Sequence, residues 1–286
     1  SGSGIYRNVR LVTTNDLHVD LWGTYVTTPT VTKDNAEIKI ETNIKNSSDL
    51  SQTFELYSIL IDKDGKEIAG INNSESVGIG ENISMNQSLK VSNPILWSID
   101  NPYLYKIVTR IEQKGKVVDE YETPLGIRYF SLDPNKGFFL NGESVKIKGV
   151  CNHHDLGFLG AAVNTRAIER QLEILKEMGC NGIRTSHNPP APELLDLCDK
   201  MGFIVMDEAF DMWRKKKSPY DYSQYFPEWH ERDLTDLILR DRNHPSIFMW
   251  SIGNEILEQW SDINADTLDL QQANMVLNFA NTLNKK

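Results

Sequence analysis

Short apolar runs at 147–151, 182–185, 203–207 and 247–251 alternate with helical patterns at 165–178, 192–201, 228–240 and 265–283. This alternation limits the possible folds more than any other feature of the chain. Within 165–178, Ile168, Leu172 and Leu175 recur at helical spacing, and Gly179 follows where a helix C-terminus favours glycine. Thr165 and the nearby Glu169 give a rough capping signal at the other end. Strands that are apolar throughout are buried on both faces, as in a parallel sheet covered by helices. Successive βαβ units then wind with right-handed crossovers. Four consecutive β/α units are expected.

The first part of the chain follows another rule. Glu37-Ile38-Lys39-Ile40-Glu41 and Thr53-Phe54-Glu55-Leu56-Tyr57 alternate with a period of two, and 104–110 is a further strand candidate. Turn signals separate them at Asn46-Ser47-Ser48-Asp49, Lys63-Asp64-Gly65-Lys66 and Gln113-Lys114-Gly115-Lys116. Short strands without a helical period predict an antiparallel sandwich. No Cys-Trp-Cys spacing points to an antibody-type domain. Trp97, Tyr103 and Tyr105 read as core or interdomain packing. At 138–147 an Asn141-Gly142 pair predicts a hairpin. The expected organisation is a sandwich over 5–127 and a β/α domain over 128–286.

Composition narrows the function. The chain has 286 residues, 40% hydrophobic and 24% charged, which fits a folded globular protein of two domains. Its net charge of −10 and the lack of a basic stripe argue against a nucleic-acid partner. The only cationic run, Arg214-Lys215-Lys216-Lys217, is expected to be a solvated loop. No apolar stretch approaches the ~20 residues that span a bilayer. Cys151, Cys180 and Cys198 form neither a disulfide framework nor a zinc pattern, and each is expected to be a small buried side chain. Ser1-Gly2-Ser3-Gly4 reads as a linker or expression scar. Location stays open, a periplasmic or secreted site being favoured over the cytoplasm.

The chemistry is concentrated at Ile247-Phe248-Met249-Trp250-Ser251-Ile252-Gly253-Asn254-Glu255-Ile256, where an apolar strand ends in an amide and a carboxylate. A barrel strand presents catalytic groups from its C-terminal tip. An amide there can bond a sugar hydroxyl while the carboxyl moves a proton. The plainer alternative is a pair of polar residues capping the next helix.

The flanking Arg240-Asp241-Arg242-Asn243-His244-Pro245-Ser246, together with Gly253-Asn254-Glu255, resembles a signature of glycoside hydrolase family 2. Gly149-Val150-Cys151-Asn152-His153-His154-Asp155, Arg184-Thr185-Ser186-His187-Asn188-Pro189 and Val205-Met206-Asp207-Glu208-Ala209 resemble that family's first three strand-end segments, in order. The resemblance implies an immunoglobulin-like β-sandwich followed by the first four β/α units of a TIM barrel. It implies a retaining glycosidase acting on β-galactosides, with β-glucuronides as the alternative, no cofactor, and Glu255 as the acid/base. The nucleophile would lie on a strand beyond Lys286, so the isolated chain is expected to be inactive. Glu208 is the best second carboxylate within the chain, but its counterpart is structural. Glu258 follows Glu255 too closely to face it.

By the same resemblance, Asn254 would bond the sugar 2-hydroxyl, and His153 and His187 would line the pocket or be buried structural histidines. Arg184 would steady the nucleophile or pair with Asp207 or Glu208. Asp207 and Trp213 are placed among the substrate contacts, Trp213 with packing as its alternative, and Asp211 could rim the site. His244 is assigned a structural role. A magnesium site seen in some relatives is not expected, because Met212 and Arg214 stand at its positions. A metal-dependent hydrolase using His153, His154, Asp155 and His187 is a competing reading, as is a non-catalytic fragment. Exposed half-barrel edges would favour self-association.

Overall fold

The structure is a computed structural model that describes residues 4–260. The helix expected at 265–283 lies outside them. Seven strands build the sandwich: β1 (Leu17–Val31), β2 (Asn35–Asn46), β3 (Gln52–Ile61), β4 (Glu67–Val77), β5 (Asn82–Ser92), β6 (Tyr105–Gln113) and β7 (Lys116–Leu125). They form two antiparallel sheets, ordered β1-β2-β5 and β4-β3-β6-β7. Period-two alternation puts Ile38, Ile40 and Ile44 of one sheet opposite Leu56, Leu60, Ile107 and Ile111 of the other. This is the immunoglobulin-like sandwich.

A small sheet follows, built from β8 (Phe130–Asp133), β9 (Gly137–Leu140) and β10 (Glu143–Ser144). Asn141 and Gly142 join β9 to β10 with φ of 54° and 82°, the left-handed pair that a two-residue hairpin needs.

The β/α part comprises β11 (Gly149–His153), α1 (Thr165–Glu177), β12 (Gly182–Ser186), α2 (Pro192–Met201), β13 (Ile204–Glu208), α3 (Phe226–Asp241) and β14 (Ile247–Ser251). Its sheet is parallel, in the order β11-β12-β13-β14. The described residues thus hold three complete β/α units and a fourth strand, part of a TIM barrel. The cap of α1 is Asn164, not Thr165; its Oδ1 accepts the Ala167 N–H at 3.0 Å. Ile168, Leu172, Leu195 and Cys198 on the helices pack on Ile183, Val205 and Ile247 of the sheet. Of the cysteines, only Cys198 is buried, whereas Cys151 is exposed on the inward side of β11.

The two parts are joined by specific polar contacts at the base of the strands. Trp97 is fully buried, and its Nε1 donates to the Asp199 carbonyl at 2.8 Å. Arg128 donates to the carbonyls of Pro245 and Ile247, each at 2.5 Å. Burial lowers its guanidinium to about 10. Asn243 bonds both Val26 N–H and Thr24 carbonyl on β1. His244 Nδ1 meets Asp199 Oδ2 at 2.6 Å, and Asp199 Oδ1 accepts the Ser246 N–H. The Arg242–Ser246 loop is therefore structural and sits at the end of the sheet opposite Glu255.

Candidate active site

All four parallel strands deliver their C-terminal ends to one face. Residues Ile183, Thr185, Val205 and Asp207 turn toward the helices, so Arg184 and Glu208 turn inward. There Arg184 Nε lies 3.0 Å from Glu208 Oε2, and its Nη2 lies 3.0 and 2.9 Å from the two carboxylate oxygens. The Glu208 side chain is 1% exposed. Ser251 Oγ on β14 donates to the same carboxylate at 2.6 Å, and the Glu208 N–H bonds Thr185 Oγ1. Burial works to lower the Arg184 pKa, but the bonds to Glu208 outweigh it and raise it.

The same Arg184 Nη2 donates to Asn254 Oδ1 at 2.6 Å. Asn254 Nδ2 donates onward to Asp211 Oδ1 at 2.9 Å. Lys217 Nζ also reaches Asp211 Oδ1, at 2.9 Å, and reaches the Asn254 carbonyl at 2.8 Å. Burial alone would raise the Asp211 carboxyl, yet the Asn254 and Lys217 bonds hold it below its usual range. His187 Nδ1 stands 3.7 Å from Asp211, and its ring packs edge-on against His153 at 5.1 Å between centroids. Burial lowers the His187 pKa. That shift favours the neutral imidazole, which has one donor and one acceptor nitrogen.

Glu255 is projected from this network. Its neighbours Asn254 and Ile256 are buried, at 7% and 3% exposure, while Glu255 itself is exposed. Its φ of 44° is left-handed, a conformation that costs a non-glycine residue of order 1 kcal/mol. A Cβ at Gly253 would fall 2.5 Å from Ile256 Cδ1 and 3.0 Å from Trp213 Nε1, so these side chains would have to shift to admit one. Among the described residues, nothing bonds the Glu255 carboxyl.

Two of the expected substrate contacts lie elsewhere. Trp213 is 3% exposed and packs against Phe226, with Nε1 donating to the Ile252 carbonyl at 2.8 Å. It supports the Gly253-Asn254-Glu255 turn from below and offers no face to a sugar. Asp207 is fully buried on the helix side of β13, where strand alternation must put it. Its Oδ1 meets Thr185 Oγ1, its carboxyl lies against that of Asp241, and Arg240 holds Asp241 with two bonds of 2.6 Å.

Burial, then Asp241, raises the Asp207 pKa well above the carboxylate range. A raised folded-state pKa gives stability that is complete below the unfolded value, about 3.9, and is lost as pH climbs through the folded value. Asp207→Asn should therefore flatten the pH dependence. Between pH 5 and pH 8 the urea midpoint of the parent is expected to fall more than that of the variant; parallel curves would reject the raised Asp207 pKa.

Lys217 was not legible in the sequence. Inside a run of four cations it looked like solvent-exposed charge, and it is instead fixed in the site, with its backbone N–H and that of Ser218 held by Asp221 Oδ2. Of the residues in the rival metal reading, His154 Nε2 faces the Ala161 carbonyl at 3.0 Å, and among the described residues no three His, Cys, Asp or Glu side chains are grouped as ligands for one ion.

The sandwich followed by parallel β/α units is the architecture of the matched family, and the chain belongs to glycosyl hydrolase family 2. The model for family 2 matches residues 17–128, and the model for its TIM barrel domain matches 133–274. Among relatives, it is 62% identical over 282 residues to the β-galactosidase BoGH2A of Bacteroides ovatus, an alignment covering 99% of this chain and 33% of that protein. It is 32% identical over 280 residues to a β-glucuronidase of Formosa agariphila, covering 94% of this chain and 27% of that one. A solved family 2 member from Bacteroides cellulosilyticus superposes with a TM-score of 0.91 at 43% identity, over 99% of this chain and 36% of that one. The chain thus spans about a third of the length of BoGH2A.

Proposed function

We propose that this chain supplies the acid/base half of the active site of a retaining β-galactosidase. The observation that carries this reading is Glu255, an exposed carboxyl at a barrel strand tip, held between Asn254 and Ile256 and free of partners among the described residues. Glu255 protonates the departing glycosidic oxygen and then takes a proton from water. Asn254, whose amide is fixed by Arg184 and Asp211, bonds the sugar 2-hydroxyl. His153 and His187 line the pocket.

A retaining mechanism needs a second carboxylate ~5–5.5 Å from the first. Glu208 is committed to Arg184 and Ser251, and Glu258 accepts the N–H groups of Arg214 and Lys215. The nucleophile therefore comes from strands that complete the barrel beside the edges of β11 and β14, which are unpaired among the described residues, and the four strands alone do not turn over substrate. Those edges would also allow two copies to pair.

Galactoside is preferred over glucuronide because the two cations bonded around Asn254, Arg184 and Lys217, are already occupied by Glu208 and Asp211. The similarity to BoGH2A supports the same choice. The β-glucuronide reading rests on the Formosa relative. The test compares chromogenic β-galactoside and β-glucuronide on the full protein that carries this chain, with NMR of the first-formed sugar. Galactose released first as the β-anomer supports the proposal. Preference for glucuronide, or an α-anomer, overturns it.

A further inference from the structure

We infer that Lys217 is a positioning residue that aims the acid/base carboxyl, and that it does so through the peptide joining Asn254 to Glu255. This rests on the reading of Glu255 given above. Lys217 Nζ bonds the oxygen of that peptide at 2.8 Å and Asp211 Oδ1 at 2.9 Å, with its side chain 20% exposed. Asp211 in turn takes the Asn254 amide at 2.9 Å. The peptide plane and the Asn254 side chain are thereby fixed by one ion pair. The plane matters because Glu255 follows it with a left-handed φ of 44°, a conformation that persists only when its surroundings enforce it.

The loop bearing Lys217 is itself built to hold the ammonium in place. Glu258, in the 3-10 turn Leu257–Trp260 just after Glu255, accepts the N–H groups of Arg214 and Lys215, each at 2.7 Å. Asp221 accepts those of Lys217 at 2.6 Å and Ser218 at 2.8 Å. The loop and the Asn254-Glu255 turn therefore clasp each other at two points, one on either side of Glu255. Without the ammonium, the Asn254 carbonyl loses its donor and the turn can relax toward an unstrained φ, carrying the carboxyl off the glycosidic oxygen.

The test uses aryl β-galactosides whose leaving groups span poor to good, since only a poor leaving group needs protonation. Lys217→Met should lower kcat/KM about 10²-fold on the poorest, the scale of loss for a misplacement near 1 Å. On a dinitrophenyl glycoside the loss in the glycosylation step should be within about 3-fold, and azide should restore turnover, because an anion needs no general base. Glu255→Gln should show the same pattern more steeply. Lys217→Arg, which keeps the cation, should recover part of the activity on poor leaving groups. An equal loss on every leaving group in Lys217→Met would overturn the inference. If that variant does not fold, Asp211→Asn, which weakens the same anchor, decides on the same two criteria. A Glu255→Gln enzyme with an unchanged leaving-group profile instead overturns the acid/base reading itself.

Discussion

Replacing Glu255 with Gln is expected to lower kcat/KM on an alkyl or unactivated aryl β-galactoside by about 10²–10⁴-fold, the usual contribution of a positioned general acid. The substitution is nearly isosteric, so folding should be spared. Glu255 is exposed and takes no bond from the described residues, and the strained φ of 44° belongs to either side chain equally. The lost activity can therefore be assigned to the proton and not to packing. Melting temperature within about 2 °C of the parent, together with the kinetic loss, is the expected pair of observations. Near-parental hydrolysis of the unactivated substrate would remove Glu255 from the chemistry.

The second large effect is expected at Arg184. Arg184→Met removes the one ion-pair partner that Glu208 has among the described residues, and the Glu208 side chain is 1% exposed. Breaking a buried pair from one side costs about 3–5 kcal/mol, because the remaining charge is neither solvated nor compensated. Ser251 Oγ would remain as a donor at 2.6 Å but supplies no charge. The loss should appear as a lower urea midpoint at constant m-value. Adding Glu208→Gln to the same protein should recover much of the stability, since the double variant buries an amide in place of an ion. Activity should not recover with it, because Asn254 has lost the Arg184 donor in both proteins. A single variant within about 1 kcal/mol of the parent would mean the pair is compensated by neighbours not recognised above.

Much of the architecture was legible because two periodicities differ so plainly. Alternation in β2 and β3 put Ile38 with Ile40, and Phe54 with Leu56, on one face of each strand, and those faces are the buried ones. The helical spacing of Ile168 and Leu172 did the same for α1. Boundaries were less visible. Sequence put the first parallel strand at 147–151, whereas pairing begins at Gly149, opposite Gly182. The strand ends where its neighbour does, and that is a tertiary fact.

Arg184, Asn254, Glu255 and His187 lie together at the strand tips, where the strand pattern and the resemblance pointed. The errors share a cause. Asp207 and Trp213 sit next to residues that face the site, but alternation along β13 turns Asp207 outward, and the Gly253 turn covers the Trp213 indole. Lys217 was missed because its importance depends on Asn254 and Asp211, of which Asn254 lies 37 positions away. No local pattern separates it from Lys215 and Lys216.

The seam of Trp97, Arg128 and Asn243 bears on how such proteins can be recombined. Each of these side chains reaches across to main-chain groups, and not to side chains, on the opposite part. Main-chain groups are present whatever residue occupies a position. A sandwich transplanted from a distant cousin could therefore still lock onto this base if it brought its own tryptophan and arginine, even with little else of the surface preserved.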